Sequence, residues 1–240
     1  PPFPWLSIII PTLNEEDTLV HCLARIYARA VPGQFEVIIS DGGSTDKTLE
    51  IVSGYTALTT LHSTRGRAQQ LNLGAQQAQG QFLWFLHADT LPPENWWYLL
   101  QQARRDQKSA TFSVYFSEQE SSALLRFYAW GSSLNHWSVR FGDQSLFVSK
   151  AVFKNVGGYR EDYLLMEGHE LARRLQKSHG LHLLPAAVTT SSRRYFEHGI
   201  IFTQAIFTLI FSLHYLGWSQ ARLLRIYRWA FGRPSLTLRK

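Results

Sequence analysis

Apolar, strand-like runs alternate with helical patterns along the first half of the chain, and this alternation restricts the fold more than any other feature. Four runs are typical of buried strands, at residues 6–10, 35–40, 58–63 and 81–87. Three helical patterns lie between them, at residues 14–30, 46–55 and 66–78. Because strands that alternate with helices form α/β layers, we predict an α/β fold with a mostly parallel central sheet flanked by helices.

A polar cluster directly follows three of these predicted strands. The clusters supply the candidate ligand-binding residues Pro11, Thr12, Leu13 and Glu15, then Asp41 and Gly42, and then His87, Ala88 and Asp89. The carboxyl ends of parallel strands share one edge of a sheet, so we expect the clusters to converge on a ligand site there. The alternative is that they are ordinary polar loops. Ser44 or Thr45 is also placed to cap the helix that follows the second cluster.

The residue types at these positions suggest a phosphorylated ligand and a metal. Arg65 and Arg67 flank Gly66 and are candidates for binding an anionic diphosphate. Asp89 is a hard oxygen ligand, so together with substrate phosphates and water it suits Mg²⁺ or Mn²⁺. Asp89 could instead cap a helix, and His87 could be a metal ligand, a neighbour of one, or a structural histidine.

The motifs and residue types that are missing from the sequence exclude several other kinds of ligand and metal site. The glycine motifs that cradle phosphates in dinucleotide-binding and P-loop proteins are missing from the sequence. Cys22 is the one cysteine, which excludes an internal disulfide and a multi-thiolate zinc site. A single cysteine fits a reducing compartment, and the first residues lack a signal-peptide pattern, so we expect a cytoplasmic location.

The basic charge belongs to the end of the chain. Residues 1–192 carry 16 Lys/Arg and 17 Asp/Glu, a net charge of −1, whereas residues 193–240 carry 8 Lys/Arg and one acid, a net charge of +7. We therefore divide the chain into a catalytic-type domain, 1–192, and a C-terminal helical extension, 193–240. Nucleic-acid-binding domains usually spread basic residues over one face, so we expect no nucleic-acid partner.

Four ordered motifs resemble the family-2 glycosyltransferases of GT-A fold. They are SIIIPTLNEE from residue 7, ISDGGSTDKT from residue 39, GRAQQLNLGA from residue 66 and FLHADT from residue 85. FLHADT and the Gly-Asp-Gln at residues 142–144 are most similar to a subgroup often labelled arsenosugar-biosynthesis-like. The resemblance covers about residues 6–178.

This resemblance implies an inverting transfer of a sugar from a nucleotide-diphosphate donor, commonly a UDP-sugar, to a hydroxyl acceptor. It implies a divalent metal, Mn²⁺ or Mg²⁺, held by Asp89 as the one carboxylate kept from an Asp-x-Asp motif. It assigns donor binding to Pro11, Thr12, Leu13, Glu15, Asp41, Gly42, Arg65, Gly66, Arg67, His87, Ala88 and Asp89.

The sequence departs from the resemblance at the catalytic base. The family places a Glu-Asp pair at the start of a late helix, and here Glu167 matches the first residue while Gly168 stands where the Asp is expected. Three interpretations stay open. Glu167 takes over as the base; Glu170 or His169 does so, or the acceptor needs less help; or the chain is inactive or altered in its activity.

The acceptor side is predicted from the middle of the chain. Asp143 is a further catalytic candidate, and Asp143 or Gln144 is expected to contact a sugar or acceptor hydroxyl unless this segment is simply a turn before a strand. Trp137 could stack on a sugar ring or pack in the core. Two alternatives to a transferase stay open: a nucleotide-sugar-binding protein without catalysis, and a nucleotidyltransferase that releases diphosphate.

The C-terminal extension contains a long uncharged segment. Residues 199–218 hold no Asp, Glu, Lys or Arg and are about as long as a membrane-spanning helix, roughly 20 residues, but a narrow polar stripe runs along them. Arg222, Arg225 and Arg228 follow. A helix at the membrane interface over residues 199–228 fits this pattern, on the cytoplasmic face of the membrane. The alternatives are packing against the catalytic domain or a second copy in a homodimer, and a true span.

Overall fold

Eight strands form one sheet within the residues that the computed structural model describes, 4–55, 57–117 and 122–232. The first four strands are parallel and lie side by side in the order β3-β2-β1-β4. They are β1 (Leu6–Thr12), β2 (Phe35–Asp41), β3 (Leu58–His62) and β4 (Phe82–Phe85). Their connections contain α1 (Leu19–Arg29), α2 (Thr48–Ser53) and α3 (Arg67–Gln77). The α/β fold with parallel strands and flanking helices is therefore confirmed.

The second half of the sheet is mixed. It contains β5 (Thr90–Leu91), β6 (Ala110–Phe116), β7 (Leu146–Ser149) and β8 (His182–Thr190). The strand order continues β4-β7-β6-β8-β5, with β7 antiparallel to β4 and β6, β8 parallel to β6, and β5 antiparallel to β8. The helices of this half are α4 (Trp96–Arg105), α5 (Ala123–Ser132), α6 (Lys150–Asn155) and α7 (Glu167–Ser178).

Both faces of the sheet are covered, which explains why the central strands are apolar without alternation. Ile8 and Ile10 pack into one cluster with side chains of α1 and α4, while Ile9 packs into the opposite cluster with side chains of α3 and α7. All three isoleucines are fully buried. Continuous apolar runs are typical of parallel strands that are buried on both sides, so β1 lies at the centre of the molecule.

Two local predictions are wrong at the ends of β1 and β2. The acidic segment at residues 14–17 is a turn, with Asn14 at φ 58°, and α1 begins only at Leu19. Neither Ser44 nor Thr45 caps α2, which begins at Thr48. In both cases the short polar side chains bond to neighbouring loop groups instead of to a helix, as Ser, Asn and Asp commonly do.

The C-terminal extension is helical, as predicted, but it is not one long helix. It forms α8 (Arg193–His198), α9 (Ile200–Tyr215) and α10 (Gln220–Phe231), and the chain turns between α9 and α10 at Gly217, where φ is 83°. Among the described residues, no helix combines the length and the apolar character that crossing a membrane requires.

The extension packs against the start of α7. Ile206, Ile210 and Leu223 are buried together, and the half-buried Leu165 and Met166 pack on them. The Gln220 side-chain oxygen accepts hydrogen bonds from the backbone N–H groups of residues 164 and 165, at 3.2 and 3.1 Å. The alternative in which the extension packs on the catalytic domain therefore agrees with the structure.

Candidate functional site

The ends of β1 and β2 meet at a buried carboxylate. Thr12 and Asp41 are register partners, and the Thr12 hydroxyl donates to Asp41 Oδ1 at 2.9 Å. The backbone N–H groups of Gly43 and Ser44 donate to Oδ2, each at 2.9 Å. Burial raises the pKa of Asp41, but these hydrogen bonds and the Ser44 hydroxyl outweigh it, so the pKa lies below its usual value. Asp41 is therefore a charged group that fixes the loop after β2.

The loops that follow β1 and β2 are joined to each other. The N–H of Asn14 donates to Ser44 Oγ at 2.9 Å, and the N–H of Thr45 donates to Asn14 Oδ1 at 2.8 Å. The N–H of Glu15 donates to Thr48 Oγ1 at 2.8 Å. Two of the three polar clusters predicted from the sequence thus form one ordered surface at the carboxyl edge of the sheet. Pro11 lies within β1. Leu13 is the first residue after β1 and is half-buried.

The Gln70 side chain supports this surface from inside the protein, and this role was not predicted from the sequence. Its side-chain nitrogen donates to the carbonyl oxygens of Thr12 and Ser40, both at 2.8 Å, and the residue is buried. Gly42 lies directly against the Gln70 side chain. The sequence shows a polar face on α3, but it contains no signal that one of its several glutamines turns into the protein.

Four titratable groups gather beside this surface: Glu15, Arg67, His87 and Asp89. Burial and the negative charge of Asp89 raise the pKa of Glu15 to about 7, against the partial opposition of Arg67. Burial and the Arg67 cation lower the pKa of His87 to about 4, although Asp89 acts in the other direction. The structure therefore brings the clusters after β1 and β4 together with the start of α3. Ala88 is buried between its two neighbours.

Arg67 forms an ion pair across the site with Glu167. The distance from Arg67 Nη1 to Glu167 Oε1 is 3.2 Å, and the Arg67 side chain is 54% exposed whereas that of Glu167 is 7% exposed. Each residue is the first of its helix, α3 and α7. Gly66, with φ 156°, allows the chain to enter α3, and a side chain there would collide with Gln69. Arg65 is exposed on the same loop.

Asp143 reaches the same cluster from the turn before β7. Its Oδ1 atom is buried without a hydrogen-bond partner among the described residues. Burial and the charge of Asp89 raise the pKa of Asp143 to about 6, and nearby backbone N–H groups and Arg67 offset part of this. Gln144 does not join the cluster, because its amide donates to the Val139 carbonyl at 2.7 Å and accepts from Arg140 at 3.3 Å.

Three other predicted residues have partners elsewhere. Glu170 accepts hydrogen bonds at 2.6 to 3.0 Å from Arg174, which also binds the backbone at residues 156 and 158. His169 donates to the Arg140 carbonyl at 2.8 Å and accepts from the Tyr215 hydroxyl at 2.7 Å. Trp137 packs its ring near His169 and Tyr215, with centroids 5.8 and 5.9 Å away, so it contacts the extension.

The extension also contributes charge and polarity to the rim of the site. Arg193 acts electrostatically on Glu15, and Tyr227 acts on Arg67. Tyr195 has its pKa raised by burial and by the nearby Asp143 carboxylate. None of these three residues was predicted, because the sequence allows the extension to pack against the catalytic domain but does not indicate which of its residues reach the sheet edge.

The donor atoms fit a divalent cation that is bound jointly with a phosphorylated ligand. The described residues contain no group of three or more His, Cys, Asp or Glu side chains that could hold a metal ion by themselves. Asp89 offers a carboxylate whose Oδ1 accepts one long hydrogen bond, 3.3 Å, from Thr90. Mg²⁺ and Mn²⁺ commonly use one or two carboxylates together with substrate phosphates and water, and Asp89 suits that arrangement.

Comparison with known families agrees with these motifs. The family described as "Glycosyl transferase family 2" matches residues 7–150. A curated relative from Mycobacterium bovis, named "PGL/p-HBAD biosynthesis glycosyltransferase", is 30% identical over 181 residues, which cover 68% of this chain. The match spans 66% of the relative's length.

Solved structures share the fold at low identity. The S. aureus TarS 1–349 structure in complex with UDP-GlcNAc has a TM-score of 0.64 and 19% identity, covering 78% of this chain and 58% of that one. The mannosyltransferase PcManGT from Pyrobaculum calidifontis, in complex with GDP-Man and Mn²⁺, has a TM-score of 0.66 and 19% identity, covering 95% and 70%. The fold is therefore the GT-A type that the motifs predicted.

Proposed function

Because the chain belongs to glycosyl transferase family 2, we propose that it transfers a sugar from a nucleotide-diphosphate donor to a hydroxyl acceptor. The observation that carries this proposal is the convergence of Arg67 and Asp89 at the carboxyl edge of the sheet, next to the surface built on Asp41. A protein that binds a sugar nucleotide needs a cationic side chain for the diphosphate, a carboxylate for the metal, and a polar surface for the nucleoside.

Each part of the donor has a counterpart in the site. The nucleoside lies on the joined loops around Thr12 and Asp41, with Pro11, Leu13, Glu15 and Gly42 beside it. The diphosphate faces Arg67, whose half-exposed guanidinium can bind phosphate oxygens while its other side stays paired with Glu167. Arg65 and Gly66 line the same approach. The donor is a UDP-sugar, as in the TarS complex with UDP-GlcNAc.

The metal belongs at Asp89, with His87 beside it. The neutral His87 imidazole adds no positive charge next to the ion. A bound Mn²⁺ or Mg²⁺ would neutralise the negative charge that develops on the leaving diphosphate. The presence of Mn²⁺ together with GDP-Man in the PcManGT complex, which shares the fold, is consistent with a metal in this position.

The transfer inverts the anomeric centre. The acceptor oxygen attacks the face of the sugar opposite the diphosphate, and the bond from the anomeric carbon to the phosphate oxygen breaks with its electron pair on the nucleoside diphosphate. The acceptor hydroxyl must lose its proton to a group on that face. The family resemblance offers Glu167 for this role, but its carboxylate is already paired with Arg67, which gives it a role in holding the donor side together.

A catalytically silent nucleotide-sugar-binding protein is the second candidate. Gly168 favours it, because no carboxylate stands at the position where the family resemblance expects one. Both candidates bind the donor, and turnover separates them.

The extension is proposed to contact the cytoplasmic face of an anionic membrane through residues 199–228. Four exposed side chains lie along α10 and the turn before it at helical spacing: Trp218, Arg222, Arg225 and Trp229. Tryptophan with arginine on one face is typical of helices that lie at a lipid interface. Such a location suits an acceptor that is a lipid or is linked to one. A homodimer through this face is the competing outcome.

The direct test measures the thermal stability of the chain with a panel of UDP- and GDP-sugars, each with and without Mn²⁺. A ligand that binds only the folded state raises the melting temperature. We expect a UDP-sugar to stabilise the wild type in the presence of Mn²⁺ and to release UDP.

Asp89→Asn should lose the Mn²⁺-dependent part of this shift. Asp106→Asn, which removes an exposed carboxylate paired with Lys108, is the matched control and should behave as the wild type. If no sugar nucleotide shifts the melting temperature, the proposed function is wrong. Binding without UDP release would favour the silent binding protein, and release of diphosphate would indicate a nucleotidyltransferase.

A further inference from the structure

Two glycines that are far apart in sequence are in backbone contact at the edge of the site. A Cβ atom at Gly168 would lie 2.7 Å from Gly142 Cα and 2.9 Å from Gly142 N. These distances leave no room for a side chain at position 168 unless the turn at Gly142–Gln144 moves. The turn therefore occupies the space into which a side chain on the first turn of α7 would project, and Asp143 is the next residue in that turn.

The other acidic and imidazole groups near this point are already bound. Glu167 is paired with Arg67, and Glu170 with Arg174. Both ring nitrogens of His169 have partners, the Arg140 carbonyl and the Tyr215 hydroxyl.

Glu15 and Asp89 serve the donor side of the site. The backbone N–H of Glu15 donates a hydrogen bond to the Thr48 hydroxyl, and its carboxylate accepts one from the Thr18 hydroxyl at 2.9 Å. Glu15 thus belongs to the joined loops on which the nucleoside is proposed to lie. Asp89 is the metal-binding carboxylate of the proposed function. Of the carboxylates of Glu15, Asp89, Asp143, Glu167 and Glu170, that of Asp143 is the one that neither an ion pair nor the donor side engages.

The carboxylate of Asp143 has an oxygen atom that no protein group in the described part of the chain binds, so it is free to bind a ligand. Its Oδ1 is buried without a hydrogen-bond partner among the residues that the structure describes, while the residue as a whole is partly exposed. A buried polar atom without a partner is costly in a native protein and needs a reason. Its charge interacts with those of Asp89 and Arg67, and its neighbour Gly142 lies close to the His87 ring, near Asp89 in the chain.

The turn that carries Asp143 is firmly held. Both the nitrogen and the oxygen of the Gln144 side-chain amide form hydrogen bonds, with the Val139 carbonyl and with Arg140. Arg140, which is 3% exposed, also donates to the carbonyl oxygens of Ser132 and Leu134, both at 2.7 Å. Gly142 also lies near the His87 ring, at 3.5 Å from an added Cβ. A carboxylate on a fixed turn is positioned for chemistry without a loop rearrangement.

We propose that Asp143 is the general base of the transfer, an assignment that rests on the proposed function. The acceptor oxygen forms its bond to the anomeric carbon while the bond from that carbon to the diphosphate oxygen breaks. The electron pair of the broken bond leaves with the nucleoside diphosphate. The hydroxyl proton passes to the Asp143 carboxylate, which returns it to solvent after the product leaves.

The test compares the wild type with Asp143→Asn in two reactions of the same UDP-sugar, with Mn²⁺ present. With water or a simple alcohol as the acceptor, a proton must be removed, and the variant should release UDP about 10²- to 10⁴-fold more slowly. With azide ion as the acceptor no proton is removed, so the variant should form glycosyl azide as fast as the wild type. Donor binding, measured by thermal shift, should be unchanged.

The contrast between the two acceptors separates catalysis from a structural role. If the variant loses both reactions, or loses donor or Mn²⁺ binding, Asp143 holds the fold, the donor or the metal, and the proposal is wrong. It is equally wrong if the variant releases UDP to water as fast as the wild type. Wild type that binds the donor but never releases UDP would also overturn it, and failure to bind any donor would overturn the proposed function itself.

Gly168→Asp provides a second, independent variant. A chain that merely lacks a base should gain activity from this substitution. Because the new side chain would displace Gly142 and with it Asp143, we expect slower UDP release instead. A large gain in rate would contradict the assignment. Glu167→Gln completes the set: on our assignment, it should not reproduce the contrast between water and azide that Asp143→Asn shows.

Discussion

Arg67 and Glu167 form an unequal ion pair, and the inequality has a consequence for function. The Glu167 carboxylate is almost entirely buried and depends on Arg67 for charge compensation, whereas half of the Arg67 side chain is open to solvent. An arginine has donors on several sides of its guanidinium group, so it can hold the glutamate and still bind a phosphate. We therefore propose that the same residue supports both the fold and the bound ligand.

Substitutions in this pair should separate the two roles. Arg67→Gln leaves the Glu167 carboxylate buried without its partner, so we expect a loss of about 1–3 kcal/mol in the free energy of unfolding. It should also weaken UDP binding about 10- to 100-fold, since a charge-assisted contact is lost. The double variant Arg67→Gln/Glu167→Gln should recover stability without recovering binding. Urea unfolding and UDP titration check both, and recovery of UDP affinity in the double variant would contradict the role of Arg67.

The raised pKa of Glu15 predicts a pH dependence of stability. Burial and the charge of Asp89 raise this pKa from 4.5 to about 7 in the folded chain. The folded state then binds more protons than the unfolded state between those values, so the Glu15 contribution to stability is present below pH 4.5 and is lost as the pH rises to about 7.

Glu15→Gln should remove this dependence. Without metal, the wild type should lose stability relative to the variant as the pH rises from about 4.5 to 7. Denaturant unfolding at a series of pH values measures the difference, and Glu16→Gln, an exposed neighbour, serves as the control. Parallel pH profiles of wild type and Glu15→Gln would show that the Glu15 environment is described incorrectly.

The sequence predicted the positions of those candidate site residues that belong to motifs at strand ends. Asp41, Arg67 and Asp89 follow or precede regular elements, and the parallel topology determines where such positions lie. Gln70 and Arg140 were missed because each turns inward and donates hydrogen bonds to backbone carbonyls, which are distant in sequence for Gln70 and eight and six residues away for Arg140. Nothing in the local pattern distinguishes a glutamine or arginine that turns inward from one that faces water.

At the level of elements, the strands β1, β2 and β4 were predictable because their apolar runs are buried on both faces. Register brings Thr12 level with Asp41, and Asp41 level with His62, so the loops necessarily share an edge. The antiparallel insertion of β7 between β4 and β6 was not predictable, since β7 pairs with strands more than 30 residues earlier. Short strands of this kind are determined by tertiary packing.

The α9–α10 hairpin shows where periodicity alone is insufficient. The uncharged segment predicts helix correctly, but the reversal at Gly217 and the packing on Leu165 and Met166 depend on contacts with α7. The hairpin leaves an outer face with Leu216 and Trp229, each 75% exposed, near three arginines. This is the face through which we propose that the extension contacts a membrane.

Binding to anionic vesicles tests this face. The wild type should sediment with vesicles of phosphatidylglycerol and phosphatidylcholine, and less so at high salt. Replacing Arg222, Arg225 and Arg228 by serine should weaken binding about 100-fold, at about 1 kcal/mol for each basic residue. The same change at the exposed Arg105, Lys154 and Lys177 is the charge-matched control and should retain binding. Equal loss in both variants, or dimers in place of vesicle binding, would contradict the membrane proposal.

At the scale of the whole molecule, the extension completes the site. Arg193 acts on Glu15, Tyr227 acts on Arg67, and Tyr195 lies beside Asp143, so the residues after 192 contribute to the same rim as the sheet edge. The boundary that we placed at residue 192 separates a nearly neutral part of the chain from a basic part. In three dimensions the rim of the candidate site is built from both parts.

The most direct measurement is a crystal structure of the chain with UDP and Mn²⁺ bound. The account predicts the nucleoside on the joined loops at Thr12 and Asp41, the diphosphate within hydrogen-bond distance of Arg67, and the metal between the diphosphate and Asp89. A nucleotide bound elsewhere, or a diphosphate that contacts neither Arg67 nor a metal on Asp89, would contradict it.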